Sequence, residues 1–193
     1  MSAAERDAAE DDAEAGAQGV ADAAVTAADA VLGISASGRT PFVVGAMEAA
    51  AAAGALTGAI VSAPDSPLAE LVDHEIVVVI GPEFLAGSTR LKAGTAQKLV
   101  LNTISTVSMV RTGKTFGNLM VDVRATNDKL RARVRRIVEA ATGASPDEVE
   151  AALEAAGGDA KVATVALLAE VDAATARSRL DAADGRIRAA LGP

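Results

Sequence analysis

Three short, unbroken apolar runs set the strongest limit on how this chain can fold. They occupy Ala30–Ile34, residues 56–62 and residues 75–80, the last reading Glu-Ile-Val-Val-Val-Ile. None of them alternates apolar with polar, so each suits a strand covered on both faces, as in a parallel sheet. Between the first two lies a helical pattern over residues 42–53, with Pro41 in its first turn, Thr40 placed as N-cap and Gly54 closing it. A shorter helical stretch over 68–72 leads to the third run. Strand and helix therefore alternate, and the chain reads as α/β, a three-layer arrangement around a parallel sheet.

In an open parallel sheet, ligands collect beyond the carboxyl ends of the strands. The three runs end in segments 35–40, 62–67 and 81–92, of which the first and third are rich in hydroxyls and glycine and can converge on one ligand. The third segment continues as residues 87–102, where Ser88, Thr89, Arg90, Lys92 and Thr95 cluster at the start of a helical pattern. Unpaired N–H groups and the macrodipole favour an anion at such a place. An ordinary polar cap accounts for the same residues equally well, because helix starts routinely carry Ser and Thr. The helix itself is expected over Lys92–Arg111, with Leu99, Ile104, Val107 and Val110 on its apolar side and Gly113 ending it.

The other segments carry less chemistry. An acidic, alanine-rich stretch over 3–28 suits a helix broken or bent near Gly16 and Gly19. A loop over 115–126 holds Asn118, Asp122 and Arg124, and a basic helix over 127–141 carries Arg131, Arg133, Arg135 and Arg136, best read as a solvated face. From Thr142 the composition changes to short helices. Ser145-Pro146-Asp147-Glu148 forms a capping box, Gly157-Gly158 breaks the chain, a second helix spans about 159–170, and Asp172 caps a third. The expected division is an α/β domain over 1–141 followed by an all-helical, three-helix subdomain over 142–193.

Composition removes several function classes. The formal net charge is −8 and aromatic residues make up 2% of the 193 positions. Nucleic-acid binding lacks both its phosphate-neutralising cations and its stacking platforms. With no cysteine and one histidine, His74, disulfides, thiolate catalysis and a zinc site are not expected, and His74 reads as structural. No basic start precedes an apolar run as in a secretory signal. The longest uncharged run, 49–64, is shorter than the roughly 20 apolar residues a membrane span needs. A cytoplasmic protein with no membrane partner is the expectation.

At three places the residues resemble a known family. The run Gly87-Ser88-Thr89-Arg90-Leu91-Lys92-Ala93-Gly94-Thr95-Ala96-Gln97-Lys98, then Phe116-Gly117-Asn118-Leu119-Met120-Val121-Asp122-Val123 and Ala125-Thr126-Asn127, is similar to the signature region of N-acetylmuramic acid 6-phosphate etherases. Ser35-Ala36-Ser37-Gly38-Arg39-Thr40-Pro41 resembles their second phosphosugar loop, and the tail resembles their small ubiquitin-associated-like (UBA-like) subdomain. The resemblance implies a sugar isomerase (SIS) fold, here a partial one, and a lyase reaction in cell-wall sugar recycling. That reaction cleaves the D-lactyl ether of N-acetylmuramate 6-phosphate to N-acetylglucosamine 6-phosphate and D-lactate, with no metal and no cofactor.

The resemblance also implies residue roles. Ser35, Ser37, Gly38, Arg39 and Thr40 would hold the phosphate, Ser88, Thr89, Arg90 and Lys92 would wall the sugar pocket, and Glu10 would be the base at C2. Relative to that family the chain reads as N-terminally truncated. It lacks a first glycine-rich loop and a second glutamate serving as general acid, and the strand Ala30–Ile34 would keep an unpaired edge. Three expectations follow: an etherase portion whose missing part is supplied by another polypeptide or is encoded in an open frame upstream of Met1, with family members being dimers; a sugar-phosphate-binding regulator without catalysis; or a structural or pairing subunit with a vestigial pocket.

Overall fold

The computed structural model describes residues 9–123 and 125–192. Arg124 and the first residues of the acidic 3–28 stretch lie outside that range. The chain divides into two compact units, one ending at Thr103 and one beginning at Ile104.

In the first unit, helix α1 (Ala13–Asp22) precedes strand β1 (Ala30–Ile34), helix α2 (Pro41–Ala52), strand β2 (Leu56–Val61), a 3-10 turn (Pro67–Glu70) and strand β3 (His74–Val77). The strands are parallel in the order β1-β2-β3, with Ala30 opposite Leu56 and Gly58 opposite His74. β3 stops short of the apolar run that announces it. Val78 N–H still donates to Val61 O (2.8 Å), but β2 ends at Val61, so Val79 finds no ladder partner and is 69% exposed. Beyond β1 no further strand is present among the described residues, so its outer edge is open.

The core of this unit is small: Met47, Ala59, Val61 and Leu68, with Val31, Val43 and Leu71 against it. Glycine makes its layers possible. A Cβ on Gly16 would lie 2.0 Å from Phe42 O, and one on Gly45 would lie 2.1 Å from Ala13 O. These two glycines let α1 and α2 touch backbone to backbone. α1 runs unbroken through Gly16 and Gly19, which corrects the expected break: at Gly16 the sequence shows a weak helix former, whereas the packing needs a missing side chain, and a side chain at Gly19 would meet open space. At the opposite end of the strands, Asp73 accepts from Thr57 N–H (2.8 Å) and Thr57 Oγ1 (2.9 Å), fastening β2 to the entry of β3. The Thr57 bonds hold the Asp73 carboxyl below its ordinary range.

Helix α3 (Lys92–Arg111) has the expected bounds. In the second unit a hairpin pairs β4 (Thr115–Phe116) with β5 (Leu119–Met120) through Gly117-Asn118, in the segment read as a loop. Helices α4 (Asp128–Thr142), α5 (Pro146–Ala155), α6 (Ala160–Leu168), α7 (Ala173–Ala182) and α8 (Ile187–Leu191) follow. Four of the five starts are capped: Asn127, Asp159 and Asp172 cap with their side chains, and Ser145 and Glu148 form the expected reciprocal box, whereas Arg186 before α8 makes no side-chain cap bond.

Val134 and Val138 of α4 are buried in one cluster with Val149, Val162, Val165 and Ile187. α4 thus packs with the helices that follow it, ahead of the division at 141/142 that composition suggests. Its arginines face solvent and acids: Arg131 pairs with Asp128, and Arg135 Nη2 donates to Glu150 Oε1 (2.8 Å). No helix among the described residues is long and apolar enough to cross a membrane.

Candidate functional site

β1 delivers its carboxyl end into the segment 35–40. Ser35 N–H donates to Ile60 O (3.1 Å) and Ser62 N–H donates to Ala36 O (2.9 Å), so the loop leaves the sheet fixed against β2. Ser35 is buried, and its hydroxyl organises the turn: Oγ accepts from Gly38 N–H (3.0 Å) and lies 2.9 Å from Thr40 Oγ1 and 3.4 Å from Ser37 Oγ. Thr40 stands at the N-cap of α2 but makes no side-chain cap bond, its hydroxyl being turned to Ser35 instead. Pro41 starts the helix without an N–H to satisfy. Gly38 has φ +66°, and a Cβ there would lie 2.3 Å from Ser66 Cβ, so both backbone shape and space demand glycine.

This turn forms one side of an open cavity of about 430 Å³. Glu10, Ser35, Thr40, Phe42, Thr89 and Gln97 are among its lining residues. Four of the residues singled out from sequence therefore meet: Glu10 from the segment before α1, Ser35 and Thr40 from the β1 loop, and Thr89 from the segment before α3. The close approach of α1 to α2 across Gly16 and Gly45 brings Glu10 to the cavity.

The others stand outside the lining. Ser37 and Gly38 support Ser35 from behind. Arg39 is exposed, and its N–H donates to Ser37 Oγ (3.3 Å). Ser88 Oγ accepts from Arg90 N–H (3.3 Å), and Lys92 Nζ donates to Pro82 O (2.7 Å). The three cations expected at the site thus lie off the cavity wall, which among the described residues offers the Ser35, Thr40 and Thr89 hydroxyls, the Gln97 amide and the Glu10 carboxylate beside apolar side chains such as Ile34, Phe42 and Val43.

Sequence reasoning left Gln97 and Phe42 without a role. Gln97 lies inside the quoted signature run, and Phe42 is the first residue after the proline that ends the loop. Their positions were visible, but the direction in which each side chain points was not. Glu83 was also passed over. Its Oε2 accepts from Lys92 N–H (2.9 Å) and its Oε1 from Ala93 N–H (3.0 Å), and these bonds hold its carboxyl below the ordinary glutamate range.

A parallel α/β sheet whose first strand ends in a hydroxyl-rich turn over a cavity is the arrangement of an SIS domain, and the SIS domain family matches residues 11–106. Over 187 residues the chain is 62% identical to the N-acetylmuramic acid 6-phosphate etherase of Rubrobacter xylanophilus, covering 97% of this chain and 62% of that protein. It is 58% identical over 183 residues to the etherase of the same name from Streptomyces avermitilis, covering 95% and 59% respectively. The corresponding protein of Mycolicibacterium smegmatis is 53% identical over 184 residues, covering 95% of this chain and 62% of its own length. The chain belongs to the N-acetylmuramic acid 6-phosphate etherase family. It spans about three fifths of the length of the curated relatives it matches.

Proposed function

We propose that this chain forms the phosphosugar-binding portion of an N-acetylmuramic acid 6-phosphate etherase and carries its C2 base. The observation that carries this reading is the meeting of Glu10 with Ser35, Thr40 and Thr89 around one cavity. Hydroxyl donors of the β1 turn bind the sugar phosphate. The Glu10 carboxylate removes the proton on C2 of the ring-opened sugar; the C3–O bond breaks and D-lactate leaves as its oxygen takes up a proton. Water then adds at C3 to give N-acetylglucosamine 6-phosphate. The two proton transfers call for two groups with separated pKa values.

Among the described residues lining the cavity Glu10 is the one carboxylic acid. On this reading the acid is supplied by a complementing N-terminal half or by a second copy of the chain, and the reaction runs in the cytoplasm. The exposed apolar side of α3, with Leu99 62% and Val107 50% exposed, and the open edge of β1 support such an assembly. The test is D-lactate release from N-acetylmuramate 6-phosphate by the chain alone and after adding the remaining two fifths of a relative. Release that appears or rises on addition, and is lost in Glu10→Gln, is expected; full activity of the Glu10→Gln chain would overturn the role of Glu10.

The single lining carboxylate also suits a regulator that binds the sugar phosphate without turning it over. Calorimetric binding with no lactate release, even in the completed assembly, would favour that reading.

A further inference from the structure

The part of the cavity lining that Thr89 contributes depends on the path of residues 81–92. Burial does not hold this segment: Phe84 is 90% exposed and Leu85 is 60% exposed. Its fastening is polar. Glu83 reaches across nine and ten residues to accept from the N–H groups of Lys92 and Ala93, and Lys92 Nζ closes the same loop onto Pro82 O. Asp12, Asn127, Ser145, Asp159 and Asp172 each cap a helix from the residue immediately before it. Glu83 instead joins the far end of a loop to the first turn of α3, so it fixes where the loop lies as well as where the helix starts. Ala93, one of the two tied residues, is buried, and Gln97 lies one turn further along the same helix.

We propose that Glu83 is a positioning residue of the phosphosugar site, a clasp whose two bonds set Thr89 and Gln97 against the Ser35–Thr40 turn. The proposal rests on the phosphosugar reading of the cavity. Two N–H groups at a helix start satisfied by one carboxylate make a strong tie, because each bond is charge-assisted. Removing it frees the loop and exposes two donors to water.

The test compares Glu83→Ala and Glu83→Gln with Glu148→Ala, which removes a helix-start carboxylate that accepts from Ser145 N–H (2.8 Å) in the second unit. Binding of N-acetylmuramate 6-phosphate is read by calorimetry, and amide hydrogen exchange is read over residues 81–97. Loss of charge-assisted bonds of this kind should weaken binding about tenfold in Glu83→Ala. The loss should be smaller in Glu83→Gln, which keeps one acceptor oxygen. Exchange at 88–97 should quicken in both, while Glu148→Ala binds as the parent does. Unchanged or tighter binding in Glu83→Ala, with the freed N–H groups of Lys92 and Ala93 taking the anion themselves, would overturn the proposal. If the parent chain binds no phosphosugar, the functional reading fails. Exchange at Ser88 and Thr89 then still decides whether Glu83 holds the loop, and an unchanged rate refutes the clasp.

Discussion

The two units solve the same problem with unequal resources. The second gathers Val121, Val134, Val138, Val149, Val162, Val165 and Ile187 into one buried cluster and caps helix after helix from adjacent residues. The first closes a far smaller core around Met47 and Leu68, and it leaves Val77, Val79, Phe84 and Leu99 and the edge of β1 in solvent, while the α3 residues past the division, Val107 and Val110 among them, are exposed on the second. Helix and sheet faces are stable when buried against another layer. The second unit therefore gathers the larger buried core by itself, and the first the smaller. The candidate site sits in the unit with the smaller core, where on the proposed reading a partner would supply both cover and the acid.

The sharpest way to break this comparison is to put a charge on each kind of apolar position. Val138→Asp places a carboxylate in a site with no exposure and should cost about 4 kcal/mol or more, read as a lowered urea midpoint of the second unit. Leu99→Asp, on the exposed side of α3, should change the stability of the isolated chain by only about 0.5 kcal/mol or less. It should nevertheless abolish gain of lactate release on adding the remaining polypeptide. A large loss of stability from Leu99→Asp in the isolated chain would show that the first unit is already closed there.

Gly38→Ala tests the site within the weaker unit. The new Cβ meets Ser66 at 2.3 Å, and φ +66° is strained for any side chain, so a cost of roughly 2 kcal/mol or more is expected with loss of phosphosugar binding. Ser35→Ala follows with a smaller effect. It leaves the Gly38 N–H with only the Ser35 carbonyl as acceptor (3.3 Å) and Thr40 Oγ1 without its neighbour, a loss of about 1 kcal/mol with weaker binding in calorimetry. Preserved affinity in Ser35→Ala would remove the β1 turn from the ligand site.

The reach of sequence reasoning divides along similar lines. Local signals were legible: Lys92–Arg111 as a helix, the Ser145–Glu148 box, the hydroxyl turn after β1. These depend on neighbours along the chain. What was not legible depends on neighbours in space. Gly16 reads as a weak point in a helix, yet its use is to admit Phe42 O. The arginines of residues 127–141 mark a solvated face, yet nothing along the chain says what the opposite side meets; Val134 and Val138 are core. The hairpin at Gly117-Asn118 has two-residue strands, too short to show a period. At the site, the cations Arg39, Arg90 and Lys92 drew attention by charge, but a long side chain reports nothing of its direction from sequence, and Lys92 spends its amine on Pro82 O. Glu83 was invisible for the same reason, since its partners lie nine and ten residues away.

The smallest expected effect is the pH response, and it separates the units by readout rather than by size. In the first unit the Glu83 and Asp73 carboxyls are held below their ordinary values of 4.5 and 3.8 by backbone N–H bonds from Lys92 and Thr57. In the second, Glu148 is held below 4.5 chiefly by the Ser145 hydroxyl and Asp172 below 3.8 chiefly by the Thr175 N–H. A carboxyl whose pKa is lower folded than unfolded stabilises in full above the unfolded value and loses that contribution as pH falls through the folded one. All four therefore act alike on stability: a plateau above about pH 4.5, then a shallow decline, because each group is solvent-exposed and screened. The second unit has a full core to carry it through that decline, so its thermal midpoint should slope gently. In the first unit Glu83 fastens a wall of the cavity, so hydrogen exchange over 81–97 should quicken in the same window while the helices of the second unit remain protected. Glu83→Gln should show the quickened exchange already at neutral pH and no further step on acidification. Simultaneous loss of protection in both units would mean that acid unfolds the chain as a whole and that no separate loop opening exists.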